Sequence, residues 1–106
     1  MEVWIEVIEN HPQMRFWVAQ NKSIPHEIME ILSGDSSERV RSMIASKSRL
    51  PEYLQIKMAQ DHDPLVRQRI VFNKKAFTQV LQLLVQDEDQ DIREKANQRL
   101  SQILND

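Results

Sequence analysis

The side chains of this chain that could do chemistry are three histidines and a regular series of charged residues; cysteine is absent. His11, His26 and His62 do not form a pair four residues apart on a helix, and no H-E-x-x-H, glycine-rich phosphate loop or G-x-S-x-G motif occurs. The triplet Asp61-His62-Asp63 has donors for a divalent ion, but two turn carboxylates flanking an exposed histidine explain it more simply. Without thiols there are no disulfides, thiolate metal sites, iron–sulfur clusters or cysteine nucleophiles, which suits a reducing compartment. The expectation is a protein without catalytic residues, metal or cofactor, and so not an enzyme.

The arginines are more informative. Arg15, Arg41, Arg67 and Arg93 recur every 26 residues, as do Asp35, Asp61 and Asp87. Guanidiniums spaced one per repeat could track phosphates. Alternatively, the aspartate in the turn of each unit offers a bidentate acceptor to a guanidinium one unit away, and the pairing locks neighbouring units together. The second reading is adopted for Arg41, Arg67 and Arg93, and for Arg15 at the end of the row.

The elements that place these groups are short helices. One glycine and four prolines in 106 residues, with abundant Leu, Ile, Val, Gln, Glu and Arg, point to an all-α chain, one domain able to bury roughly 65% of its unfolded surface. Each unit reads as two helices. The first starts at a cap, Ser37, Asp63 or Asp89, with the poorer cap His11 in the first unit, and with Pro12 and Pro64 just inside. Apolar residues follow at i and i+4: Met14 and Val18, Val40 and Ile44, Val66 and Ile70, Ile92 and Ala96. Asn21 and Asn73 are expected to close this helix in the left-handed conformation, with Lys47 departing from the pattern. The second helix starts at Pro25 or Pro51, where the third unit has Ala76 and Phe77 instead, and turns inward Ile28 and Leu32, Leu54 and Met58, Val80 and Leu84, with Gly34 closing the first. Such a pair cannot bury its own stripe, so the units must stack.

The expected organisation is a single domain over 1–106: a capping helix at 1–10, repeats at 11–36, 37–62 and 63–88, and a closing helix at 89–106. Val3, Trp4, Val7 and Ile8 are expected to cover one end, and Ile92, Ala96, Leu100, Ile103 and Leu104 to face inward at the other. The acidic segment after Met1 is unlike a secretion signal, and no apolar run approaches the ~18 residues of a membrane span, so a cytoplasmic protein away from membranes is expected.

Val40-Arg41, Val66-Arg67 and Ile92-Arg93, each following its aspartate, with Pro25 and Pro51 at the second helix, resemble the leucine-rich repeat variant family and, more loosely, HEAT-like repeats, over about His11 to Arg99. The resemblance implies a short right-handed α-solenoid, a superhelix of short helices that usually serves as a protein-interaction scaffold. The unit is longer than in the variant family and so nearer HEAT, and the cysteine-bound clusters of some relatives are impossible here. HEAT-like architecture implies that the second helices line the concave face.

Function is then sought among outward positions. On the second helices these are Glu27 and Glu30, then Tyr53, Ile56 and Lys57, then Gln79, Gln82 and Leu83; Trp17, on a first helix, shares its position with Met43, Arg69 and Lys95. The expected protein partner is bound by Tyr53, Ile56 and Trp17 as apolar anchors, with Glu27, Glu30, Lys57, Gln79 and Gln82 around them. The alternative is a nucleic-acid backbone along the turns between paired helices, where Lys47, Arg49, Lys74 and Lys75 gather, although the net charge of −2 announces no such partner. A monomer is the default expectation.

Overall fold

Residues 2–105 are described by a computed structural model, with the side chain of residue 105 left aside. Among them are eight α-helices and no strand: α1 (Glu2–Asn10), α2 (Arg15–Gln20), α3 (His26–Leu32), α4 (Glu38–Ala45), α5 (Glu52–Met58), α6 (Pro64–Phe72), α7 (Thr78–Leu84) and α8 (Gln90–Asn105), with a 3-10 turn at Pro12–Met14 before α2. The all-helical expectation is met.

Contacts run between elements near in sequence. Helix α2 packs on α4, α4 on α6 and α6 on α8, while α3, α5 and α7 lie against α4, α6 and α8 respectively. The molecule measures 46 × 25 × 17 Å, and its radius of gyration of 14.3 Å exceeds the about 13 Å of a globule this size, so the helices extend along one axis. The i, i+4 residues expected inward from Val18 to Ala96 are buried, together with Ile24 and Leu50, which point in as the chain turns.

Several local expectations are corrected. Met14 is exposed, because the chain leaves Pro12 as a 3-10 turn and α2 starts only at Arg15; His11 makes no side-chain cap bond that would start a longer helix. Ser37 does not cap α4 with its hydroxyl; its own N–H is held by the Asp35 carboxylate at 2.9 Å. Pro25 and Pro51 occupy the cap position itself, in extended conformation, one residue before the helix. Asn21 and Asn73 are extended rather than left-handed, and Gly34 has no positive φ, since α3 ends on an ordinary turn at Ser33. Val3, Ile103 and Leu104 are exposed: they lie toward the two ends of the row of helices, where no neighbouring helix covers them.

Candidate partner-binding surface

The arginines are consumed by the frame. The Arg41 guanidinium donates to both carboxylate oxygens of Asp61, at 2.9 and 3.3 Å, and to the Asp35 carbonyl at 2.8 Å. Arg67 does the same one unit later, to Asp87 at 2.8 and 3.3 Å and to the Asp61 carbonyl at 2.7 Å. Each arginine thus ties the turn before its helix to the turn one unit further on. Arg41, Arg67 and their hydrogen-bonded partners Asp61 and Asp87 are no more than 9% exposed at the side chain, so solvent screens these bonds little, whereas the exposed Glu88 carboxylate adds only a looser 3.7 Å contact to Arg67. The row fades at its ends. Arg15 is 29% exposed, reaching Asp35 through a single 3.3 Å bond and the Ile8 carbonyl at 2.8 Å. Arg93 departs from the expected pairing: it donates to the carbonyls of Asp87 and Glu88, with no carboxylate partner among the described residues.

A second row of bonds ends on carbonyls in the turns between paired helices, its last donor standing within α8, and was missed in the sequence. Lys47 Nζ donates to the Asn21 carbonyl at 2.8 Å, Asn73 Nδ2 to the Lys47 carbonyl at 3.0 Å, and an Arg99 guanidinium nitrogen to the Asn73 carbonyl at 2.7 Å. The donors stand 26 residues apart, each reaching back to its counterpart in the preceding unit. Lys47 therefore contributes to the frame instead of standing free for phosphate, and desolvation by partial burial holds its pKa below the ordinary lysine range.

Gln55, fully buried, repairs the unit that lacks the proline. Its Nε2 donates to the Leu50 and Lys75 carbonyls at 3.1 Å, and its Oε1 accepts the Phe77 N–H at 3.0 Å, a donor that Pro25 and Pro51 do not possess. No side-chain nitrogen or oxygen buried among the described residues lacks a partner.

The carboxylates of the Asp61-His62-Asp63 triplet are likewise engaged, Asp61 with Arg41 and Asp63 with the Leu65 N–H at 2.9 Å. No group of three or more His, Cys, Asp or Glu among the described residues is placed to hold a metal ion.

The remaining outward residues fall into two rows. Glu27 and Glu30 lie on α3, Tyr53, Ile56 and Lys57 on α5, and Gln79 and Gln82 on α7. Of these, Ile56 is half-buried against the core, and Lys57 Nζ is bonded to the Ser33 hydroxyl at 2.9 Å, so Tyr53 is the free apolar group between them. Trp17 is not part of this row. It stands 61% exposed on α2 with its ring edge-on to Phe16, centroids 6.0 Å apart, and Arg39 from α4 lies 4.2 Å over the Phe16 ring.

The grooves follow the row of first helices. One of about 540 Å³ lies over the buried Met29 and the half-buried Met43, beside Lys22, Lys47 and Arg49. Another of about 310 Å³, with Phe16, Arg39 and Arg69, shares Met43 and Ser46 with it; a third of similar size, with Arg69, Phe72 and Lys74, shares Ser46 and Ser48. Together they form one trough centred on the C-terminal end of α4. Of the alternative nucleic-acid residues, Lys47, Arg49 and Lys74 border it, whereas Lys75 is exposed outside its lining. A fourth groove, past Phe72, is bordered by Asp91, Glu94 and Lys95, and Lys95 Nζ lies 5.1 Å over the Phe72 ring.

The helices of the described residues include none long and apolar enough to cross a membrane. No family model, no curated protein and no solved structure matches this chain.

Proposed function

We propose that this chain is a cytoplasmic, non-enzymatic helical-repeat scaffold, a short right-handed α-solenoid of two-helix units, that binds a partner protein. The observation that carries the reading is the division of labour between side chains. Those repeating every 26 residues are spent on bonds between units, while exposed aromatics such as Trp17, Phe72 and Tyr53 have no such use. Large apolar groups on a rigid polar-satisfied frame have the composition of interface anchors. The proposed face is that of the first helices, in place of the second-helix row suggested by the family resemblance, because the grooves open there.

A pull-down from the native cell tests this. A Trp17→Ala, Phe72→Ala variant of unchanged melting temperature should lose partners that wild type and Tyr53→Ala retain. Identical partners for all three proteins would sink the assignment.

A further inference from the structure

We propose that the trough centred on α4 receives an acidic peptide segment bearing apolar side chains, presented by the partner protein; this rests on the protein-binding reading above. Six cations border the trough: Lys22, Arg39, Lys47, Arg49, Arg69 and Lys74. One carboxylate, Glu38, accompanies them, and its Oε2 accepts the Ser42 hydroxyl at 2.7 Å. The local excess of positive charge stands out in a chain whose net charge is −2. The ion pairs among the described residues use Arg15, Arg41, Arg67 and His62, and none of the six. Lys47 already donates to a main-chain carbonyl, while the others keep donors for an incoming anion.

The choice of a peptide follows from what lies between the cations. Met29 and Met43 line the floor, and flexible thioethers accommodate apolar side chains of varied shape. Base stacking, by contrast, needs open aromatic faces. The two aromatic rings that line the trough each carry a cation on one face, Phe16 Arg39 and Phe72 Lys95, and the more exposed Trp17 is not part of its lining. The sign of the lining also changes past Phe72, where Asp91 and Glu94 enter, so a long phosphate backbone meets repulsion while a short segment fits before that point.

The test is selection of a random peptide library displayed on phage against the intact protein, followed by affinity measurement on synthetic representatives. Enriched peptides should combine Asp or Glu with Leu, Phe, Tyr or Trp. Their affinity should fall about tenfold or more with Arg49→Glu, Arg69→Glu, or when glutamine replaces glutamate in the peptide. Arg49→Gln, Arg69→Gln serves in its place should the charge reversal lower the melting temperature. Enrichment of neutral peptides indifferent to these changes would overturn the acidic-segment proposal and leave the protein-binding reading standing. No enrichment, with a labelled single-stranded oligonucleotide binding wild type and released by the same variants, would overturn both.

Discussion

The two edges of the molecule solve one problem in different ways. Along the turns between units, an arginine repeats with an aspartate, and the same bonds recur at Arg41 and Arg67. Into the turns between paired helices, Lys47, Asn73 and, from within α8, Arg99 each donate to the carbonyl 26 residues before them, so the role repeats while the residue does not. The cause is the acceptor. Holding a buried carboxylate in one turn and a main-chain carbonyl in the turn before it takes a planar multi-donor cation, and arginine supplies it. A main-chain carbonyl near the surface accepts from any donor long enough to reach it, so its partner is free to vary.

Breaking the first edge should cost most. Asp61→Ala leaves Arg41 buried without its carboxylate, and urea unfolding should show a loss of about 3 kcal/mol.

The interior device that substitutes for a proline ranks next. Gln55→Leu orphans the Phe77 N–H and two carbonyls and should cost about 2 kcal/mol. Phe77 has φ −71°, within the range a proline adopts, as Pro25 and Pro51 do in the other units. Combining Phe77→Pro with Gln55→Leu removes the orphaned donor, so the double variant should recover about 1 kcal/mol relative to the sum of the single changes. Strict additivity would contradict this role for Gln55.

At the second edge, Asn73→Ala removes bonds to the Ala45 and Lys47 carbonyls and the one its Oδ1 accepts from the Lys75 N–H, and should cost about 1.5 kcal/mol, less than Asp61→Ala because no charge is stranded. Equal losses at the two edges would erase the distinction between them.

These contrasts also explain what could be read in the sequence. The arginines and aspartates were legible because identical residues recurred at one interval, and the helices because their apolar residues recurred at i and i+4. The Lys47, Asn73 and Arg99 row was hidden by its unlike residues, although its interval was the same; the signal was Lys47 standing where a repeat of asparagine was expected. Gln55 was illegible because it occurs once and answers a substitution 22 residues away. The charge of the trough was legible, since Lys47, Arg49 and Lys74 gather in the turns between paired helices, but the groove between them was not, because it depends on how α2, α4 and α6 are rotated against one another, which no single helix records. Ile56 was misjudged for the same reason: its outward position on α5 is partly covered by its neighbours.

The division between frame and surface meets its most direct test two residues apart on α6. Arg67 is buried and bonded to Asp87 and Asp61, whereas Arg69 is exposed on the trough. Urea unfolding of Arg67→Ala should show a loss of about 3 kcal/mol, and Arg69→Ala a change within about 0.5 kcal/mol. Comparable losses for the two variants, or an Arg67→Ala protein as stable as wild type, would contradict the account.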